Sequence, residues 1–425
     1  MEEGAAPVLK RLVASILVAL LAWPAALSSD AAFGQPSAEG PPTPPLTYTT
    51  LQVDMDVRPA SLQFVQADDG ARHLAYNLFV TNWSNWPLRF ARVDVEEAAT
   101  GRVLVSYDQE ALENPYRQRA TPFSLNPTSP QNRDLDGRRT TIFNIDIVLA
   151  GNAAAPAAIR HRIRFEPDRG VRLIQDDGSP ASDLVSVSAP VAIDGPAPIV
   201  LGAPLRGGPW ICGNGLGLRS DHNYIGVSRT ARMRVSQRYG CDFLKVFSTS
   251  VLEILPNPFP DEITAGMFYG YGEEILAVAD AHVVEVRDGI PEGVPQADGS
   301  VRMPVPRTED TMPGNRVVLD LGGGRYAFYA HFQPGSIRVR RGDRVREGQL
   351  LGKVGMAGNA VNPHLHFHVG NSPDLNSTDG MPYVFRSYLL SGRGNEDLQD
   401  RTVSNAVPLQ GSVMTFPGSS SQGRQ

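Results

Sequence analysis

Alternation with a period of two dominates the first half of the chain. In "TIFNIDIVL", Phe143, Ile145, Ile147 and Leu149 alternate with Asn144 and Asp146. In "IRHRIRF", Ile159, His161, Ile163 and Phe165 alternate with three arginines. Successive strand side chains point to opposite faces, so both patterns predict strands with one buried face. "HLAYNLFVTN" and "RFARVDVEEA" are further strand candidates. Gly, Pro, Asn and Asp turns separate these segments, which predicts an antiparallel β-sandwich over residues 46–194. His73 and His161 fall within it and read as ordinary strand residues. "NWS" at Asn82 fits a glycosylation sequon but reads as a turn.

"GPAPIVLGAPLRGGPW" marks a boundary, with Pro and Gly packed around one short apolar run. A second strand-rich domain is predicted over 195–393. In it "EEILAVADAHVVEVRDG" suggests a strand pair. "NRVVLDLGGGRYAFYAHF" predicts a hairpin turning at Gly322, Gly323 and Gly324. The frequent glycines of "GSIRVRRGDRVREGQLLGKVGMAGN" mark tight turns between very short strands. Residues 394–425 end in "GSSSQGRQ", are polar, and are expected to be a disordered tail. The fold class is therefore mainly β: a sandwich followed by an antiparallel β-sheet domain.

Composition changes this picture little. A chain of 425 residues predicts two or three domains, and a net charge of −6 argues against a nucleic-acid partner. The lysines are Lys10, Lys245 and Lys353, which removes lysine-centred chemistry from most of the chain. Lys10 and Arg11 precede the apolar "LVASILVALLAWPAAL", and small residues follow. This pattern predicts a secretory signal peptide over 1–29, with an uncleaved anchor as the alternative. "QPSAEGPPTPP" reads as a disordered linker over 30–45. The body of the protein is thus expected to be exported to the periplasm, the cell envelope or the medium. In that setting Cys212 and Cys241 either form a disulfide or stay as two buried thiols.

Candidate chemistry gathers in the second domain. "NPHLHFHVG" puts His364, His366 and His368 on one strand face. Imidazole and carboxylate are the usual zinc ligands beside thiolate, and a catalytic zinc takes three protein ligands and keeps one position open. Asp242 in "RYGCDF", His331 in "YAHF", and the pair His364 and His366 are the candidates.

Over roughly residues 200–390 the chain resembles the LytM or lysostaphin-like zinc metallopeptidases. The motifs that carry this are "RYGCDF", "YGEEILAVAD", "YAHFQPGS", "GDRV…GQLLG" and "PHLHFHV", which occur in the family's order. The resemblance implies Zn²⁺ held by Asp242 and His366. It implies His331 and His364 as catalytic histidines that orient or deprotonate the attacking water and stabilise the developing oxyanion. The family's remaining ligand is a histidine four residues before the aspartate, and here that residue is Arg238, which cannot ligate a metal. "QRYGCD" resembles family variants with a histidine in an upstream loop, so His222 in "RSDHNYIG" is the expected third ligand. His282 and His368 read as packing or surface residues.

The expected function is zinc-dependent endopeptidase hydrolysis of peptidoglycan peptides, at stem cross-links or interpeptide bridges. The sandwich is expected to position the catalytic domain or to contact envelope proteins. The alternative is a non-catalytic scaffold of the same family that activates another cell-wall hydrolase. A biotinyl or lipoyl carrier is disfavoured because Lys353 lies inside a strand-like "GKVG". A sugar phosphotransferase carrier is disfavoured by the leader.

Overall fold

The computed structural model describes residues 46–48, 51–113, 122–124, 133–166, 171–173, 179, 184–218, 220–223, 226–227, 233–256, 263–296, 300–394 and 399–418. The expected signal peptide and linker lie outside the described residues. Among the described residues no helix is long and apolar enough to cross a membrane.

The first half folds as the alternation predicts. One antiparallel sheet runs through Val53–Arg58, Ala71–Asn82, Thr140–Ala150 and Pro122–Ser124. The second runs through Leu184–Val187, Ala158–Glu166, Leu88–Glu97 and Val103–Tyr107. Tyr76, Phe143, Ile145 and Ile147 of the first pack with Phe90, Val93, Ile163 and Phe165 of the second in one apolar core. Burial of such side chains contributes roughly 1.5–3 kcal/mol each.

His161 is fully buried and bonds the Tyr76 hydroxyl at 2.8 Å. Asn82 is also fully buried, with its Nδ2 donating to the carbonyls of Trp86 and Leu135. It ends the strand Ala71–Asn82 rather than lying in a turn, and its amide is not free for a glycan.

One position departs from the alternation. Asn144, expected on an exposed face, is buried and bonded to Asn77, because the second domain covers that face of the sheet.

The second domain is built on a large sheet. Its central strands run in the order Gly207–Gly213, Cys241–Lys245, Leu365–Gly370, Arg325–Phe332, Asn315–Gly322 and Ala281–Arg287. The predicted hairpin forms, and Gly322, Gly323 and Gly324 take φ of 80°, 62° and 70°. These are left-handed values that favour glycine.

Two expectations are corrected here. The halves of "EEILAVADAHVVEVRDG" do not pair with each other. Glu274–Leu276 pairs with Leu350–Lys353, and Ala281–Arg287 with Asn315–Gly322. The intervening "AVAD" lacks hairpin-turn residues, and the chain crosses between sheets instead.

Nor is the region from residue 394 a disordered tail throughout. Arg401–Ala406 pairs with Tyr383–Arg393, and Ser412–Phe416 inserts between Tyr383–Arg393 and Gly207–Gly213. Val407, Leu409, Val413, Met414 and Phe416 are all buried there. Polar neighbours in the sequence mask these apolar positions.

The two domains share packed residues. Val65, Ala67 and Ala75 of the sandwich belong to the core of the second domain. The buried Asp68 accepts hydrogen bonds from the Tyr388 hydroxyl, Arg393 and the Leu409 amide.

Candidate metal centre

Asp242 lies on the strand Cys241–Lys245, in antiparallel register with His366 on Leu365–Gly370. Its neighbour Cys241 points the opposite way and forms a disulfide with Cys212, with a Cα–Cα distance of 5.5 Å. The two cysteines, left open between bonded and free in the sequence, are therefore bonded. The His366 strand pairs on its other edge with Arg325–Phe332, where Ala330 faces His366 across the ladder. His331 follows Ala330 and so stands beside the same site.

His222 arrives from a different kind of element, the short 3-10 turn Asp221–Asn223. The Ser220 hydroxyl donates to the Asn214 carbonyl at 2.7 Å, and Asn223 Nδ2 to the Gly217 carbonyl at 2.7 Å. These bonds hold the turn against Gly240, where an added Cβ would lie 2.8 Å from His222 Nδ1.

The geometry brings His222, Asp242 and His366 together. His366 Nδ1 is 2.7 Å from Asp242 Oδ1, and His222 Nε2 is 3.4 Å from Asp242 Oδ2. One donor atom from each of the three residues lies within 4.8 Å of the others. Two imidazoles and a carboxylate are a donor set that suits zinc, and three protein ligands leave a coordination position open. Asn214, which sequence reasoning missed, donates from Nδ2 to Asp242 Oδ2 at 2.9 Å and orients the carboxylate. Its sequence signal is only a polar residue at a strand end, in "CGNG".

Electrostatics reinforce the cluster. Burial alone would raise the Asp242 pKa, but the imidazoles of His222 and His364 beside it and hydrogen bonds from His222 and His366 hold it well below the carboxylate range. Burial pushes His366 down, and it pushes His331 well below the usual imidazole range, with His364 and His366 adding to the effect.

His331 and His364 face each other with ring centroids 4.7 Å apart. His331 Nδ1 is 2.7 Å from the Ala357 carbonyl oxygen, and His364 Nδ1 is 2.8 Å from that of Asn362. A carbonyl only accepts, so each neutral ring carries its hydrogen on Nδ1 and a lone pair on Nε2. His331 also has φ of 67°, an uncommon conformation for a residue other than glycine.

The remaining candidates lie outside the three-residue cluster, but His368 touches it through His366. His282 is exposed. His368 stacks on Phe328 at 4.5 Å, and its Nδ1 is 2.9 Å from His366 Nε2. Arg238 is 1% exposed and turned into the sandwich, where its Nη2 donates to Asn77 Oδ1 and the Arg58 carbonyl.

Residues 265–377 match the profile of "Peptidase family M23", a span that includes His331, His364 and His366 and begins after His222 and Asp242. The curated relative "Glycyl-glycine endopeptidase ALE-1" from Staphylococcus capitis is 28% identical over 136 residues, covering 30% of this chain. The match spans 32% of that relative's length. The catalytic domain of lysostaphin from Staphylococcus simulans is 24% identical over 30% of this chain and 86% of that one, with a TM-score of 0.19. A putative peptidase M23 from Pseudomonas aeruginosa is 13% identical over 68% of this chain and 86% of that one, with a TM-score of 0.21. The M23 match covers the hairpin and the H-x-H strand that bound the cluster, so the chain carries a LytM-like region similar to peptidase family M23 over residues 265–377.

Proposed function

We propose that this chain is a zinc-dependent endopeptidase that hydrolyses peptide bonds of peptidoglycan. The observation that carries the reading is the convergence of His222, Asp242 and His366 beside His331 and His364, whose Nδ1 atoms each face a backbone carbonyl. His222, Asp242 and His366 would hold the metal. Zinc supplies Lewis acidity toward a scissile carbonyl and makes a nearby water more acidic. One of His331 and His364 would accept the attacking water's proton at Nε2; the protonated ring could then donate a hydrogen bond to the developing oxyanion before passing the proton to the leaving amine. A positioned histidine in this role contributes roughly 10²–10⁴-fold.

The peptidoglycan substrate rests on the family and on the glycyl-glycine endopeptidase relative. Export to the cell envelope or beyond fits that substrate and the predicted leader. The sandwich would position the peptidase domain or meet envelope proteins.

A zymogram on purified sacculi, with and without a chelator, tests the reading. The expected result is clearing by zinc-loaded protein and none after chelation. No clearing together with no bound zinc favours the non-catalytic scaffold.

A further inference from the structure

Five consecutive residues, Arg238 to Asp242, are each tied to something different. Arg238 Nη2 donates to Asn77 Oδ1 and to the Arg58 carbonyl. The Tyr239 hydroxyl donates to the Ala75 carbonyl at 3.2 Å. Gly240 lies flat against His222, Cys241 is bonded to Cys212, and Asp242 faces His366. The first two anchors are on the sandwich strands Ala71–Asn82 and Val53–Arg58; Gly240 and Asp242 meet the metal cluster, and Cys241 is held on the opposite face of its strand. A further bond runs the other way, from Arg58 Nη1 to the Met233 carbonyl at 2.8 Å.

The sandwich also abuts the turn that carries His222. A small cavity at the junction is lined on one side by Tyr76, Asn144 and Asp146, and on the other by Gly217, Asn223 and Arg238.

These ties are buried. Arg238 is 1% exposed and Asn77 likewise 1%. A buried guanidinium without its acceptors is costly, so Arg238 holds the Asp242 segment where Asn77 and the Arg58 carbonyl lie. We propose that the sandwich is a working part of the metal centre: Arg238 and Tyr239 clamp the Asp242 segment to it, so that docking of the sandwich and binding of metal at His222, Asp242 and His366 are thermodynamically coupled. This rests on the zinc reading above. Coupling between two sites is reciprocal, and typical couplings change affinity about 5–150-fold. Arg238 and Tyr239 are positioning residues that act through Asp242 and through the Gly240–His222 contact.

The test uses the full chain and zinc alone as probe. Zinc affinity is measured by competition with a chromophoric chelator for wild type, Asn77→Ala, Tyr239→Phe and Asp68→Asn. Asp68 is also in the interdomain interface, but its side chain bonds Tyr388, Arg393 and Leu409 rather than the Asp242 segment.

The expected result is at least fivefold weaker binding for Asn77→Ala, a smaller loss for Tyr239→Phe, and unchanged binding for Asp68→Asn, all with native circular dichroism. In the reciprocal experiment, removing zinc from wild type speeds hydrogen exchange at the Tyr76 and Asn77 amides at least fivefold. A purely structural interface would not respond to the metal in this way. Wild-type affinity in folded Asn77→Ala and Tyr239→Phe overturns the coupling while leaving the zinc reading intact. Equal losses in Asp68→Asn overturn it as a specific clamp. No zinc binding by wild type overturns the zinc reading and the coupling with it.

Discussion

The Nε2 atom of His222 lies 3.4 Å from Oδ2 of Asp242, while Arg238, nearer in sequence, turns away into the sandwich. The third donor thus comes from a turn rather than from the segment that carries the aspartate. His222→Ala is expected to abolish stoichiometric zinc binding in a folded chain, read by elemental analysis after gel filtration. Adding Arg238→His should not restore it, because that side chain points to Asn77. Full zinc occupancy in His222→Ala would remove His222 from the ligand set.

His364 is the residue we propose for proton transfer. Its Nε2 is 3.6 Å from Asp242 Oδ1, too long for a hydrogen bond, while its Nδ1 is occupied by the Asn362 carbonyl. His364→Ala should keep its zinc and lose roughly 10²–10⁴-fold in the rate of peptide hydrolysis. Steady-state assays on a peptidoglycan peptide, paired with zinc analysis, check this. Loss of zinc in the variant would move His364 from catalyst to ligand.

Gly240 matters for space rather than for conformation. Its backbone suits any residue, but an added Cβ would meet His222 Nδ1 at 2.8 Å and the Gln237 carbonyl at 2.9 Å. Gly240→Ala should therefore displace His222 and weaken zinc binding by about 10–100-fold, the range seen when the support of a metal ligand is lost. Chelator competition measures it. Unchanged affinity would show that the His222 turn tolerates the displacement.

Stability should depend on pH through His73, which lies between Asp146 and Asp69. Burial pulls its pKa down, but hydrogen bonds and charge from the two aspartates outweigh this and raise it to about 9. The unfolded value is about 6.5. The folded chain therefore holds the extra proton, and this stabilisation is complete below about pH 6.5 and lost as pH rises through about 9. His73→Gln should cost on the order of 2–3 kcal/mol near pH 6 and much less above about pH 9.5. Urea unfolding at the two pH values decides. An equal loss at both would mean that His73 acts by packing alone.

Much of this protein is legible in its sequence because strand structure has a local signature. Period-two runs such as Ile159–Phe165 report burial directly, since alternate side chains must face one core. The same rule puts His364 and His366 on one side of a strand, and the glycine run at 322–324 marks its hairpin. Asp242, His331, His364 and His366 were readable as candidates because they sit on or beside regular strands within recognisable motifs.

Tertiary structure decided the rest, because the determining contacts join segments that no local pattern connects. The strands at 401–416 look polar until they are seen inserted between Tyr383–Arg393 and Gly207–Gly213. Asn144 has the composition of a solvent face and is buried because another domain covers it. His222 sits on a turn with no periodicity, and only the close approach of Gly240 and the bonds of Ser220 and Asn223 bring it to Asp242. Arg238 reads as a missing ligand in one dimension; in three its guanidinium finds acceptors on the sandwich, because a buried charge must be met by hydrogen bonds wherever the fold supplies them.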